Sequence, residues 1–452
     1  MTEAFSSKVE ESAPGGPELH RTIGPTQMAL YGLGSMLGAG IYGLIGKAAG
    51  QTGNALWLAF VVAFVAALLT GLSYASLGSR YPRAGGAAYI AHRAFNMPML
   101  SFTVGLALVF SGLTSIATQS RVFAANLAEL FGLQTLSLTW LALGFLVLLA
   151  GIVFRGIRES MWVNVLCTLV EAAGLLIVIA VGFSYWGSVD YFTTPTLPVD
   201  DGVWLVVLQG SVLTFFAFIG FEDMLNVAEE TRDPQRTVPI GIVAAMCAAG
   251  LLYIAVAITA VSVVPWPELA EAPGPITEVV RRAAPLIPPV VFTAITIFAV
   301  ANTALVNYVT ASRLLYGMAR QGLLPNGLGK IHASRRTPHI AIAALFLIAA
   351  PLALWGTISQ LAAATVLLLL VVFTVVNGSL IAVTNRKGEP AGRFQVPLVV
   401  PVLGLLVCLL LIGVRVASAD WQAPALAGGL IACILVLYCV MRPKAIPAEG
   451  QG

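Results

Sequence analysis

Residues 31–46, YGLGSMLGAGIYGLIG, lie in an apolar run as long as a membrane helix that is interrupted at its middle by glycine. Gly34, Gly38 and Gly40, flanked by Gly32, Gly43 and Gly46, each lower helix propensity by about 1 kcal/mol relative to alanine, so the centre of the run is free to unwind. Unpaired backbone at membrane depth is tolerated only where it lines a polar cavity. The amides that open the second half attract an anion, and the carbonyls that end the first attract a cation. Such a break is a binding-site signal and points to a transporter. The competing explanation for each glycine is close helix packing, which small residues permit.

Composition places the whole chain in the bilayer. It is 58% hydrophobic and 10% charged, against about 45–50% and about 25% for soluble globular chains. With about 20 apolar residues per span, the 452 residues accommodate about twelve helices and leave no room for a sizeable soluble domain. The five cysteines fall inside apolar runs without the paired spacing of a zinc site, so neither structural disulfides, metal nor cofactor is expected. A net charge of +3 gives no reason to expect nucleic acid.

Apolar runs divided by charged breaks predict spans near 25–49, 54–79, 98–130, 136–154, 161–187, 203–230, 238–264, 286–318, 338–356, 359–384, 396–416 and 421–441. With the 1–24 tail in the cytoplasm, all of the 24 basic residues except Lys47, Arg121, Arg281, Arg282 and Arg415 fall on one side. That asymmetry predicts cytoplasmic termini, including the 442–452 tail. A second interrupted span occurs five spans after the first, at 203–230, where TFFAFIGFEDMLNVAEE carries Gly220 at its break. An offset of five is what an inverted repeat of five helices produces, since an odd-numbered unit re-enters the membrane in the opposite sense. The predicted organisation is a first repeat over 25–187, a second over 203–384, and two further helices over 396–441.

At this point the chain resembles the amino acid, polyamine and organocation transporter superfamily, whose fold is shared with the bacterial leucine transporter. The resemblance rests on GSMLGAGIY at 34–42, YPRAGGAAYIAHRAF at 81–95, FFAFIGFED at 215–223 followed by AEETRDPQRTVP at 228–239, and ASRLLYGMARQGLLP at 311–325. It implies an all-α integral membrane protein with broken first and sixth helices. It also implies that the amides of Ala39 and Gly40, beside Gly38, hold a substrate carboxylate, while the carbonyls of Met36, Phe216 and Ile219, with Gly220, receive its ammonium group. The Phe216 ring would cover the substrate as a gate, with core or lipid packing as the alternative. The loop at 80–97, with Arg83, Gly85 and Gly86, would serve as a cytoplasmic hinge.

A charge at the bilayer centre costs about 2.5–3.5 kcal/mol even on lenient scales. Glu171, in CTLVEAAGLL, and Glu222 and Asp223, just after the second break, therefore need a reason. Some proton-coupled relatives carry a lysine near the position of Glu171; the reversed sign here suggests a carboxyl group that takes and releases a proton, or that pairs with Arg121 or another cation, the alternative being an acid hydrogen-bonded between helices with no transport role. Glu222 is expected to brace or gate the break, and Asp223 to lie nearer solvent. A sodium site built from first-span carbonyls and the oxygens of Thr303 and Asn302 or Asn307 is the rival. Ser111, Thr114, Ser115, Phe216, Asn302 and Thr374 are candidate pocket residues. With no carboxylate clearly aimed at a substrate side chain, neutral amino acids are favoured.

The expected function is secondary transport of an amino acid or related amine across a plasma (inner) membrane by alternating access, through proton symport or, alternatively, amino acid exchange. A membrane nutrient sensor on the same scaffold is the alternative of another class, though the tails are short for a signalling domain. No nucleophile–base or ligand spacing suggests an enzyme. The partners expected are the substrate, a proton or sodium ion and the bilayer, with the protein a monomer or homodimer.

Overall fold

The apolar runs become helices in the computed structural model, which describes residues 23–82, 86–132, 138–155, 160–195, 202–320, 322–333, 335, 337–418 and 420–441. The terminal tails up to residue 22 and from 442, and Arg83 and Gly85 of the expected hinge, lie outside the described residues. The helices are α1 (Pro25–Met36), α2 (Ala39–Tyr42), α3 (Ile45–Thr52), α4 (Leu56–Arg80), α5 (Gly86–Phe95), α6 (Pro98–Phe131), α7 (Leu138–Arg155), α8 (Ser160–Gly182), α9 (Gly202–Phe215), α10 (Pro234–Val263), α11 (Trp266–Glu271), α12 (Pro275–Ala283), α13 (Pro289–Arg320), α14 (His339–Trp355), α15 (Ile358–Thr384), α16 (Val399–Ala417) and α17 (Gln422–Met441). Among the described residues, ten helical stretches are long and apolar enough to cross a membrane. The predicted first span is not one helix but the three pieces α1, α2 and α3.

Proline marks many of the starts, at the first turns of α1, α6, α10 and α12, where its missing amide costs no intrahelical bond. Pro239, expected at a helix start, lies inside α10 instead, because that helix begins five residues earlier at Pro234. A proline there leaves the carbonyl four residues back without its helical donor. That carbonyl belongs to Gln235, and the Ser79 hydroxyl at the end of α4 donates to it at 2.8 Å.

The long helices pack α4 on α10, α6 on α13 and α15, and α1 on α10 and α8. Tyr74, Phe215, Phe221 and Phe373 meet in tilted and edge-to-face contacts at their centre. Outward faces stay apolar: Leu251 is 73% and Val440 76% exposed. In a chain this hydrophobic these faces suit lipid rather than water.

The two ends of the bundle are fastened differently. At one, α11 packs on α3, Lys47 Nζ donates to the Ala270 carbonyl at 2.8 Å, and Trp57 Nε1 donates to that of Tyr191 at 3.2 Å. At the other, the segment after α15 forms a strap over α4, α5 and α10. Arg386 donates to the Arg93 and Ala94 carbonyls at 3.1 and 2.8 Å, capping α5. Arg393 pairs with Asp233 at 2.9 Å, and the Phe394 amide donates to Ser79 Oγ at 3.0 Å.

Glu389 is the strap's anchor. Its side chain is 5% exposed, accepts from the Tyr81 hydroxyl at 2.6 Å, and pairs with Arg93 at 3.2 Å and Arg386 at 3.5 Å. Burial pushes its carboxyl up, but the Tyr81 hydrogen bond and the two guanidinium groups outweigh this and hold it below the ordinary 4.5. Burial and the bond to Glu389 push the Tyr81 phenol up to about 12. Because the folded-state carboxyl is the stronger acid, its contribution is fully present above the unfolded value and lost as acid protonates it. Wild-type protein should therefore melt above Glu389→Gln at neutral pH, with the gap closing as the pH falls below about 4.5. Melting curves of both proteins in detergent across that range check this; a gap independent of pH would count against it.

Candidate functional site

Both breaks form where glycine was expected to allow them. α1 ends at Met36, Leu37 is extended (φ −68°, ψ 128°), and the chain becomes helical again at Ala39. In the second span α9 gives way to a 3₁₀ turn, Phe216–Phe218, then to extended Ile219 (φ −65°, ψ 136°) and Gly220 at φ +127°. The chain continues as a 3₁₀ helix, Phe221–Glu230. Gly220 sits in backbone space that side chains rarely enter.

The breaks touch main chain to main chain. A Cβ on Gly40 would stand 2.3 Å from the Ala217 Cα, and one on Gly220 would stand 2.6 Å from the Ser35 carbonyl oxygen. The contacts are crossed, since the residue after each break meets one before the other. Gly38 serves a third contact, with a Cβ there falling 2.6 Å from Thr303 Oγ1. The packing and the unwinding explanations of these glycines are thus one: the helices open where they touch.

Not all of the expected backbone groups are free. The Met36 carbonyl accepts from the Tyr253 hydroxyl at 2.9 Å, and Leu37's accepts from Thr303 Oγ1 at 2.5 Å. The Phe216 carbonyl accepts from the Ile219 amide at 3.3 Å within its own turn. Among the described residues no backbone carbonyl accepts from the Gly40 amide, the usual condition of an amide in the first turn of a helix.

Glu171 on α8 is fully buried against the first break. Its main-chain carbonyl accepts from the Tyr42 hydroxyl at 2.5 Å, and its Oε1 accepts from Asn302 Nδ2 at 3.3 Å. Oε2 has no partner among the described residues. The expected pairing with Arg121 does not form, because Arg121 donates instead to the Ala353 carbonyl at 2.7 Å, ending α14. Asn302 and Thr303, adjacent on α13, therefore reach Glu171 and Leu37 respectively.

A small, partly open cavity lies beside the second break. Ile219, Glu222, Asp223 and Asn226 line it from that break, Ser111 and Ser115 from α6, Asn307 from α13, Thr365 from α15, Tyr74 from α4, and Gly86 and Ala87 from α5. Of the candidate pocket residues, Ser111 and Ser115 reach it; Thr114 bonds Thr365 at 2.7 Å, and Phe216, Asn302 and Thr374 do not line it. Phe216 is 5% exposed and packed in the core. Asp223, expected nearer solvent, is 9% exposed and lines the same cavity as Glu222. It lies in the first turn after the break, and that segment is enclosed by α1, α4, α5 and α10. Sequence reasoning missed Tyr74 and Asn226; the only signal was Asn226 three residues after Asp223, one 3₁₀ turn on.

Comparison with known proteins gives the chain's relatives. The model of a family described as "Amino acid permease" matches residues 23–438. The chain is 30% identical over 348 residues to "Cationic amino acid transporter 9, chloroplastic" of Arabidopsis thaliana, which covers 72% of the chain but 60% of that longer protein. It is 26% identical to "Branched-chain amino acid permease BcaP" of Bacillus subtilis (strain 168), covering 88% of the chain and 89% of the relative. It is 27% identical to "Methylthioribose transporter" of the same organism, covering 86% and 87%.

The crossed contact makes a testable demand on Gly40. Gly40→Ala must drive the two breaks apart, and overpacking of this kind costs about 1–3 kcal/mol. Its melting temperature in detergent should fall, whereas Gly144→Ala, inside α7 with nothing within 4 Å of the new methyl, should hold or raise it through the better helix propensity of alanine. Equal melting temperatures for the two variants would show that the contact is not tight.

Proposed function

We propose that this chain, which belongs to the amino acid permease family and is a multi-pass membrane transporter for amino acids, holds its substrate at the meeting point of the two breaks and moves it by alternating access. The crossed contact between them carries the proposal. Two helices that open side by side, each with its post-break residue against the other's pre-break residue, supply backbone donors and acceptors at one place inside the bilayer. Backbone recognises the part common to all amino acids. In this reading the Ala39 and Gly40 amides receive the carboxylate. The Ile219 carbonyl is the acceptor best suited to the ammonium, since Met36, Leu37 and Phe216 carbonyls are already bonded.

The same crossing supports the inverted repeat, because a two-fold axis in the membrane plane exchanges the residue before one break with its counterpart at the other. With both termini in the cytoplasm of a plasma membrane, α5 and the strap face inward and α11 and α12 face outward. The cavity then borders the inner side, while the outer side is closed by Lys47 on Ala270. Such a state is open toward the cytoplasm.

Proton symport is the favoured energy source. Glu171 is buried and has one unpartnered oxygen, and its main-chain and side-chain bonds link it to α2 and to α13. A change in its protonation therefore acts beside the first break. Sodium is disfavoured because Thr303 and Leu37, whose oxygens would hold it, are bonded to each other; an ion would first have to separate them.

In proteoliposomes, an inward proton gradient should drive accumulation of the transported amino acid by wild-type protein. Glu171→Gln should abolish that accumulation while changing substrate affinity by no more than about threefold. Gradient-driven uptake unaltered in the variant would remove Glu171 from coupling. Efflux that requires substrate on the opposite face, with no response to the gradient, would establish exchange instead.

A further inference from the structure

Glu222 and Asp223 are adjacent carboxylates lining the same partly open cavity, and neither is ion-paired among the described residues. Glu222 Oε2 accepts from the Gly220 amide at 2.9 Å, and Asp223 Oδ1 accepts from Asn226 Nδ2 at 3.4 Å. These two bonds do not supply positive charge. Apart from this pair, the described residues of the lining are uncharged, with polar side chains such as Ser111, Ser115 and Asn307. Two carboxylates in a low-dielectric site are costly together, and the cost falls when a cation enters between them.

A second observation is independent of the acids. Tyr74 borders the same cavity, is 1% exposed, and its hydroxyl has no hydrogen-bond partner among the described residues. Buried hydroxyls normally find partners. One left over beside two carboxylates completes a set of oxygen acceptors of the kind that an ammonium or guanidinium group satisfies. The Tyr74 ring is held edge-on by Phe221 and Phe373, at 5.5 and 5.7 Å between centroids, so the hydroxyl is positioned by packing rather than by a hydrogen bond.

We infer that Glu222, Asp223 and the Tyr74 hydroxyl form an acidic subsite for a positively charged group on an extended apolar stem, and hence that the transporter prefers substrates with a cationic side chain. This rests on the transport reading above and deepens it. The expectation of neutral substrates assumed that no carboxylate faced the substrate, and the cavity removes that premise. A neutral side chain leaves both acids unpaired, and an acidic one brings negative charge to a site with no cation to meet it; specificity here comes from penalising those as well as from attracting a cation. The charged end is shared by basic amino acids and by simple amines. The two are distinguished by whether the α-carboxylate, received at Ala39 and Gly40, is required.

The test is ligand binding to the purified full-length protein, read by thermal shift and by calorimetry, with L-arginine, L-lysine, agmatine, putrescine, L-leucine and L-glutamate as probes. Arginine or lysine should bind more tightly than leucine, and glutamate should not bind. If agmatine or putrescine binds as well as arginine, the subsite stands and the substrates are amines. Asp223→Asn should weaken binding of the preferred cation by about tenfold or more and cut its preference over leucine. Tyr74→Phe keeps the ring packing and should reduce the same preference severalfold, which provides a readout if Asp223→Asn does not fold. Leucine bound in preference to every cation, or cation affinity unchanged in both variants, overturns the subsite and leaves amino acid transport intact. Failure of every probe to bind, together with no uptake of any amino acid into proteoliposomes, overturns the transport reading itself and the subsite with it.

Discussion

The structure depends on a contact between two stretches of main chain, Gly40 against Ala217 and Gly220 against Ser35. Beside the main chain only the Cβ atoms of Ala217 and Ser35 border these contacts, and a side chain on either glycine would not fit. Two consequences follow from the membrane environment. Backbone freed from a helix must find partners or line a cavity, so the breaks had to form beside one another or beside polar groups. The glycines that weaken the helices are also those that let the breaks approach, which ties helix stability and helix packing to the same few positions.

Around this contact the released carbonyls are satisfied by side chains from distant helices. Tyr253 of α10 reaches Met36 and Thr303 of α13 reaches Leu37, while Tyr42 of α2 reaches back to the carbonyl of Glu171 on α8. Each of these bonds lies inside a region with few competing donors, where leaving a group unmade costs about 1–3 kcal/mol. They fix the first break to α8, α10 and α13. The second break is fixed otherwise: its polar contacts are local, Gly220 to Glu222 and Asp223 to Asn226, and its outer contacts are aromatic, through Phe218 and Phe221.

The extent to which the sequence foretold this follows from range. Both breaks were legible because glycine clusters inside apolar runs act through local propensity, which needs no knowledge of neighbours. The helical class and the run of apolar spans were legible for the same reason. Which carbonyls stay free was not, because the donor to Met36 is 217 residues away in the chain and the donor to Leu37 is 266 away. Asp223 is expected nearer solvent from its place one residue past Glu222, whereas the chain there is a 3₁₀ segment enclosed on several sides. Arg121 was offered to Glu171 on charge alone, while the carbonyl of Ala353 provided a closer use for its guanidinium.

The contrast between the two breaks bears on how binding and movement would be connected. Glu171 adjoins the first break, which is tied into three helices; Glu222 and Asp223 belong to the second, whose polar bonds are its own. A ligand shifts a conformational equilibrium only through contacts that differ between the states. Charge arriving at the second break changes its local bonds without first having to undo the fastenings of the first. What it displaces, however, meets the first break through main chain, at Ala217 and Gly40. A side chain between them would absorb a small movement by changing rotamer; backbone in direct contact has no such slack and passes the displacement on, as close-packed interiors do. The absence of any long, flexible side chain at this crossing, where only the Cβ atoms of Ala217 and Ser35 join the main chain, is therefore the feature that would let an event at one carboxyl cluster be felt at the other.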